Sequence, residues 1–184
     1  IDPRSGQIQQ HFTLPLGQTW LRSVAEDGQG RVWIGTHHQL IRYDPGTGQL
    51  QRWFNDDSDN PAPAGTISRL VRCNQGRMWV FSREGGLQLR DTDGRIAWSF
   101  DVARAPAQLQ DIHAAQCGPD DQLWLGTELG VQRFDPLQQQ FIPVPGSPQL
   151  AVYVMRFSVD GVLWLGHQGA LSLHLLRDDG LHKV

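Results

Sequence analysis

The stretch VAEDGQGRVWIGTHHQLIRYDPGTGQLQRWF, residues 24–54, contains four short strand-forming segments separated by turn residues. Its apolar residues alternate with polar ones or gather in groups of three, which is the pattern of half-buried and buried β-strands. Gly28, Gly30 and the run Asp44–Gly48 mark hairpin turns, because glycine accepts a positive φ and proline fixes φ while removing a donor. A sheet of four such strands has two faces to bury, so the unit requires copies of itself.

The same pattern recurs three more times, each copy centred on a tryptophan within an apolar strand. These tryptophans are separated by 46, 45 and 40 positions: Trp33, Trp79, Trp124 and Trp164. A repeat of about 40–50 residues with four strands per copy is typical of a β-propeller blade. The sequence therefore predicts an all-β fold of four four-stranded antiparallel blades, at residues of about 20–54, 66–100, 110–144 and 151–184.

The chain also begins within such a unit. Ile1–Ile8 resembles Tyr43–Leu50, so residues 1–13 are predicted to be the last turn and strand of a preceding blade. We expect the 184-residue chain to be one partial propeller, excised from a larger ring. Its N-terminal strand, Gln7–Thr13, could pair with the edge of the fourth blade in the same chain or in a second chain, which makes a homo-oligomer one candidate assembly.

Composition argues against two classes of partner. Sixteen basic and 19 acidic residues give a net charge of −3 and a pI of about 6.1, whereas nucleic acids and anionic membranes require clustered Lys and Arg. No apolar run reaches the ~18–20 residues of a membrane helix, and no signal peptide is visible. We expect neither nucleic-acid binding nor membrane insertion by these residues.

Two cysteines, Cys73 and Cys117, occupy nearly equivalent points of neighbouring units. A disulfide needs Cα atoms within about 7 Å of each other, and the inner strands of adjacent blades are usually farther apart. The expectation is two unpaired, buried thiols, which leaves the redox compartment open.

The repeat resembles that of the two-component regulator propeller family. Residues 27–45 and 120–136 carry the pattern best: a hairpin turn, then apolar-Trp-apolar-Gly-Thr, then a strand that ends in Asp-Pro. The second copy departs from it with Phe81-Ser82 in place of Gly-Thr, and the fourth with His167 for the threonine. The resemblance implies a non-catalytic, periplasmic sensor segment of a bacterial two-component or cyclic-di-GMP signalling receptor, followed in the intact protein by a membrane helix and a histidine kinase or diguanylate cyclase.

A second resemblance keeps an enzyme as the alternative. Residues 8–15 and 118–124 also look like the repeat of streptogramin B lyases, which are seven-bladed and metal-dependent. Such a lyase needs a histidine general base and a carboxylate that holds the metal, for which His113 and Glu128 are the candidates, on separate strands. The Gly-Thr and Asp-Pro elements favour the regulator propeller, so the prediction is no catalytic residue, no cofactor and no metal.

Polar residues at one repeated position form the candidate binding surface. Each lies 11 positions before the tryptophan of its blade: Arg22, Ser68, His113 and Tyr153, one step after Leu21, Ile67, Ile112 and Val152. The first strand of a blade faces the propeller axis, so these four residues, the axial positions, would line a central channel. Variable side chains at a fixed position suit recognition of a small ligand or a neighbouring domain, and a solvated channel wall is the equally simple alternative.

Other motifs have structural explanations. The four tryptophans are expected to be buried between blades, because large aromatics bury the most area. Asp44 and Asp135 precede prolines and are expected to cap turns. The acidic run at 55–61 offers oxygen ligands without the spacing of a calcium loop, so it is expected to be a solvated connector. His37-His38 lie in a turn, and no histidine pair shows metal-ligand spacing.

Overall fold

The computed structural model describes residues 20–82, 84–100, 112–119, 121–135, 138, 140–158 and 160–184. These residues form sixteen β-strands in four four-stranded antiparallel sheets, with neighbouring strands consecutive in the chain. The predicted all-β fold of propeller blades is confirmed. The strand predicted at residues 1–13 lies outside the described residues. Within the described part, no helix is long and apolar enough to cross a membrane.

Each sheet is one blade, and its strands are short. Blade 1 contains β1 (Leu21–Glu26), β2 (Val32–Thr36), β3 (Gln39–Tyr43) and β4 (Leu50–Phe54). Blade 2 contains β5 (Ile67–Arg72), β6 (Met78–Ser82), β7 (Gly86–Arg90) and β8 (Ile96–Phe100). Blade 3 contains β9 (Ala114–Cys117), β10 (Leu123–Thr127), β11 (Gly130–Asp135) and β12 (Gln140–Pro143). Blade 4 contains β13 (Val152–Phe157), β14 (Val162–His167), β15 (Ala170–Arg177) and β16 (Gly180–Lys183).

The first strands of successive blades contact one another, β1 with β5, β5 with β9 and β9 with β13. The core lies between blades, in three clusters that each join a tryptophan to the next blade. Trp33 packs with Ile67 and Leu70 of β5, Trp79 with Leu123 and Leu125 of β10, and Trp124 with Val152 and Met155 of β13. The blades therefore follow one another around an axis lined by β1, β5, β9 and β13.

The tryptophan prediction is confirmed for three blades and wrong for the fourth. Trp33, Trp79 and Trp124 are 0%, 4% and 1% exposed, but Trp164 is 40% exposed. The reason is positional, because each buried tryptophan is covered by the blade that follows it. Trp164 belongs to blade 4, the last of the described blades. Its side chain lies on the side of that blade that faces away from blade 3.

The Gly-Thr element brings successive blades into close approach. A Cβ at Gly126 would lie 2.5 Å from the carbonyl oxygen of Val152 in blade 4, so the position admits only glycine without a shift of the next blade. Thr127 closes the following turn, since its hydroxyl donates to Gly130 O and accepts from Leu129 N. In blade 2, Ser82 performs the same task by accepting from Gly85 N, which explains why the departure from the repeat preserves the hairpin.

Buried guanidinium groups connect blades 1 and 2 through the acidic connector. Arg90 is fully buried and donates to the Asn60 side chain and to the carbonyls of Pro61 and Gly94. Its guanidinium also lies 5.2 Å from the ring centroid of Trp53 in blade 1. Burial lowers the pKa of Arg90 to about 10, which leaves it charged at neutral pH. The end of the connector is therefore a packed part of the blade junction.

The expectation of two unpaired thiols is wrong. Cys73 follows β5, Cys117 ends β9, and the two form a disulfide with Cα atoms 5.2 Å apart. The usual separation of inner strands does not hold at this junction, because β5 and β9 contact each other and bring the two Cα atoms within the range of a disulfide. Asp121 strengthens the same junction by pairing with Arg77 and accepting from Asn74 N at 2.8 Å. Blades 2 and 3 are thus covalently joined.

Candidate functional site

The axial positions coincide with a kink in the inner strands. Pairing between the first two strands shifts register between Leu21 and Ser23, between Ile67 and Arg69, and between Val152 and Val154. The residue skipped at each shift is Arg22, Ser68 or Tyr153. A β-bulge leaves one residue unpaired and re-aims its side chain, and bulges are common beside functional sites. The 11-residue spacing identified these positions from the sequence. The bulge gives the physical reason why their side chains differ in type from those of the neighbouring residues.

His113 is the residue around which a polar cluster forms in blade 3. Its amide donates to Gly126 O at 2.9 Å, and its carbonyl accepts from the Arg69 guanidinium of blade 2 at 2.6 Å. Its Nε2 lies 2.5 Å from a carboxylate oxygen of Glu128. The ring centroids of His113 and Tyr153 are 4.8 Å apart, so the aromatic ring of blade 4 lies against the imidazole. Three successive blades thus contribute to one cluster.

The cluster is accessible to solvent. The side chains of His113 and Glu128 are 27% and 52% exposed, and Tyr153 is 46% exposed. An aromatic face, an imidazole and a carboxylate side by side can accept and donate hydrogen bonds while packing against an apolar surface. This combination suits recognition of an amphipathic small molecule or peptide segment.

The other two axial positions are arranged differently. Arg22 lies with its guanidinium 5.5 Å from the ring centroid of Trp20, which is 72% exposed. Ser68 is exposed, next to the Arg69 that contacts His113. The structure therefore brings two of the four predicted residues into contact, His113 and Tyr153. Their role in binding stays a prediction.

Sequence reasoning placed Glu128 and His113 on separate strands with nothing to join them, and the structure brings them together. Glu128 lies in the turn between β10 and β11, and that turn closes over the start of β9 because the first two strands of the blade are antiparallel neighbours. Arg69 was missed altogether. Its place was visible in the sequence, since Arg69 directly follows the axial residue Ser68, but its contact with His113 depends on the angle between blades.

Two of the polar motifs have the structural roles that the sequence predicted. Asp44 caps its turn by accepting from Gly46 N at 2.8 Å and Thr47 N at 3.2 Å. Burial would raise the pKa of Asp44, but these backbone hydrogen bonds keep it below its usual value. Asp135 accepts from Gln138 N at 3.1 Å in the equivalent turn of blade 3.

Among the described residues, the side chains that come together as three or more potential metal ligands are Cys73, Cys117 and Asp121. The two cysteines are joined as a disulfide and Asp121 pairs with Arg77, so their ligand atoms are already engaged. A shallow depression of about 210 Å³ lies beside blade 3, lined in part by Leu129, Phe141 and Val144. It is smaller than the ~300–1,000 Å³ of typical ligand pockets. The His113 cluster is therefore the better candidate site.

Four antiparallel sheets whose first strands follow one another around an axis define the class of protein, a β-propeller arc. Within that class, residues 14–38 match the family described as two component regulator propeller, which confirms the resemblance inferred from the repeat. The match includes the blade 1 hairpin at Asp27 and the Gly-Thr element at Gly35. No curated protein matches the chain in sequence.

Two solved structures of similar fold differ in what they are described to be. One is the extracellular domain of a protein described as a hybrid two component system from B. thetaiotaomicron, with a TM-score of 0.64, 19% identity, and coverage of 90% of this chain and 24% of that one. Another is a catalytically inactive virginiamycin B lyase from Staphylococcus aureus with quinupristin, with a TM-score of 0.65, 16% identity, and coverage of 94% and 57%. The chain thus spans about a quarter of the first and just over half of the second, and at these identities the likeness shows the fold alone.

Proposed function

We propose that this chain is a non-catalytic sensor arc of a bacterial signalling receptor, which binds a small ligand or a neighbouring domain at one end of its propeller axis. The observation that carries the proposal is the position of the bulges. They place Arg22, Ser68 and Tyr153 where side chains leave the regular pleat, and the equivalent His113 joins Glu128 and Tyr153 in an exposed cluster. The regulator repeat at residues 14–38 supports signalling as the purpose of that binding.

An extracytoplasmic location is part of the proposal. The Cys73–Cys117 disulfide supports it, because disulfides persist in oxidising compartments such as the periplasm and are rare in the reducing cytosol. The sequence that follows residue 184 in the intact protein tests the receptor assignment. A membrane span followed by a kinase or a diguanylate cyclase would support it, and a chain that ends as a free enzyme would contradict it.

Binding can be tested by thermal unfolding of the oxidised chain with a panel of sugars, amines and carboxylates. A compound that binds the folded chain at the cluster raises Tm, and the rise grows with the logarithm of its concentration once that exceeds Kd. We expect that rise to disappear in Tyr153→Ala and His113→Ala and to persist in His182→Ala. The last is a matched control, since the His182 side chain is 42% exposed on β16. A rise that survives both cluster substitutions would place binding elsewhere and contradict the proposal.

A second function is favoured by one contact. His113 Nε2 and a Glu128 carboxylate oxygen are 2.5 Å apart, a geometry in which a carboxylate can orient an imidazole as a general base. Incubation with quinupristin and Mg²⁺ tests this alternative, and the sensor proposal predicts that the cyclic substrate stays intact. Ring opening that is lost in His113→Ala and retained in His182→Ala would replace the sensor proposal with a lyase.

A further inference from the structure

The junction of blades 2 and 3 brings two sulfur atoms and a carboxylate together. One ligand atom from each of Cys73, Cys117 and Asp121 lies within 4.8 Å of the other two. Cys73 is 3% exposed, and the Asp121 side chain is 20% exposed. This junction lies between two neighbouring described blades, away from both ends of the arc. In the oxidised chain the disulfide engages both sulfurs, so the cluster can act as a set of ligands only after reduction.

The backbone holds the two cysteines together by contacts that do not involve the disulfide. β5 and β9 contact each other, and the Cα atoms of Cys73 and Cys117 are 5.2 Å apart. Each cysteine adjoins a closed hairpin. Cys73 N donates to Arg77 O at 2.9 Å, and Gly118 N donates to Gln122 O at 2.9 Å. We therefore expect the two thiols to remain neighbours when the sulfur–sulfur bond is reduced.

Asp121 is oriented toward this junction by groups of both blades. One carboxylate oxygen accepts from Asn74 N of blade 2 at 2.8 Å, and the other pairs with Arg77 of blade 2. Its own amide donates to Gly118 O at 3.0 Å, and its φ of 60° is one that aspartate and asparagine adopt more readily than most residues. A carboxylate oxygen has more than one lone pair, so Asp121 can keep these bonds and still bind a cation.

The charges of the reduced cluster favour a divalent cation. Two thiolates and the Asp121 carboxylate carry three negative charges, which one divalent ion and the Arg77 guanidinium would balance. Arg77 Nε is buried, and it has no hydrogen-bond partner among the described residues. Buried charges persist when they are paired or bound to a metal. Sulfur ligands select zinc and similar ions, whereas calcium and magnesium take oxygen ligands.

We propose that Cys73, Cys117 and Asp121 of the reduced chain bind one Zn²⁺ ion, so that the junction of blades 2 and 3 is a redox-controlled metal site. A dithiol gives two electrons and two protons to the disulfide, which becomes two thiols while the dithiol becomes a disulfide. Zn²⁺ then displaces the two thiol protons to water and binds the two thiolates. Asp121 supplies a third ligand, and a water molecule can supply the fourth.

The consequence is that blades 2 and 3 stay cross-linked in both redox states, by the disulfide when oxidised and by zinc when reduced. Only the reduced, metal-free chain lacks a cross-link at this junction. The inference goes beyond the sensor proposal and does not depend on ligand binding at the axial positions.

Isothermal titration calorimetry with ZnCl₂ tests the proposal on the chain reduced with a dithiol and desalted without oxygen. We expect one Zn²⁺ ion per reduced chain, with release of about two protons, measured by repeating the titration in buffers of different ionisation enthalpy. The oxidised chain should show no such binding. Zn²⁺ should also raise the Tm of the reduced chain, because it binds the folded state.

Three variants separate this site from other zinc ligands. Asp121→Asn keeps an acceptor for Asn74 N and suits the local φ, but it should weaken zinc binding by about tenfold or more, since even a supporting partner of a ligand is worth that much. Cys73→Ser with Cys117→Ser should abolish the binding. Asp160→Asn, in the corresponding β13–β14 hairpin of blade 4, is the matched control and should leave the affinity unchanged.

A reduced chain that is folded by far-UV circular dichroism and binds no Zn²⁺ would overturn the proposal. Equal binding by the oxidised chain, or an unchanged affinity in Asp121→Asn, would also contradict it. If reduction unfolds the chain, Zn²⁺ should restore the folded spectrum in the wild type and fail to restore it in the double cysteine variant. A wild type that stays unfolded with Zn²⁺ would equally overturn the proposal.

Discussion

The side chain of Asp27 connects the turn of its hairpin to the buried Trp33 of the core. It is fully buried, and its carboxylate accepts from Gln29 N at 2.9 Å, Arg31 Nε at 2.7 Å and Trp33 Nε1 at 2.9 Å. Burial alone would raise the pKa of Asp27, but the hydrogen bonds from Trp33, Gln29 and Arg31 hold it below its usual value. The carboxylate therefore has to be ionised for blade 1 to be fully stable.

Asp27→Asn should lower the free energy of unfolding by about 1.5–3 kcal/mol at neutral pH, the range for hydrogen bonds to a charged group. Since the pKa is depressed in the folded state, the contribution of this carboxylate is present above its unfolded pKa of about 3.9 and is lost as pH falls through the folded value. Urea titrations between pH 7 and pH 3 measure this dependence. An Asn variant whose stability falls with acid as steeply as the wild type would contradict the role of Asp27.

The tryptophans offer a comparison within one molecule. Trp124→Ala should cost about 3–5 kcal/mol, the range for truncating a buried large aromatic. Trp164→Ala should cost less than about half of that, because its side chain is 40% exposed and makes fewer contacts. Equal losses at the two positions would contradict the assignment of each tryptophan to the following blade.

At the scale of the element, the hairpins could be predicted from the sequence because their determinants are local. Asp44 and the hydroxyls of Thr127 and Ser82 bond within a few residues of themselves, so turn chemistry alone located them. The bulges were not predicted, although the spacing of 11 residues identified the positions that they occupy. A bulge depends on how the inner strand bends to meet the next blade, which a single repeat does not encode.

The Gly-Thr element should be sensitive to one added methyl group. Gly126→Ala is expected to destabilise the chain by about 1–3 kcal/mol, since overpacking against the Val152 carbonyl forces the blades apart. Gly166→Ala is the matched control in blade 4, where a Cβ would lie 3.2 Å from Val154 Cβ of the same blade. Chemical denaturation compares the two. A larger loss at Gly166 would contradict the close approach of blades 3 and 4.

At the scale of the whole molecule, sequence reasoning was weakest where two blades meet. The disulfide, the exposure of Trp164 and the contact between His113 and Glu128 all depend on how chain segments are placed around the axis. The regular repeat could predict that blades stack, because each has two faces to bury. It could not predict which residues approach within a few ångströms at the narrow side of the wedge.

The disulfide should contribute substantially to the stability of the arc. Closing a loop between cysteines 44 positions apart removes entropy from the unfolded chain worth about 4 kcal/mol in the chain-entropy estimate. Cys73→Ser with Cys117→Ser should therefore lower the free energy of unfolding by about 2–4 kcal/mol. Treatment of the wild type with a reductant should give a similar loss, and the double variant should not respond to it. If the free energy of unfolding of the wild type did not change on reduction, the disulfide would not contribute to stability as expected.

The central claim is that each blade is stabilised by the aromatic core that it shares with the next, and a double-mutant cycle across blades 3 and 4 tests it most directly. Trp124 and Phe157 lie in different blades with ring centroids 5.2 Å apart and planes at 85°, an edge-to-face pair. Unfolding free energies of Trp124→Leu, Phe157→Leu and the double variant should show a coupling of about 0.5–1.5 kcal/mol. Losses that add to within about 0.3 kcal/mol would show that the two blades do not share this core, and would contradict the account.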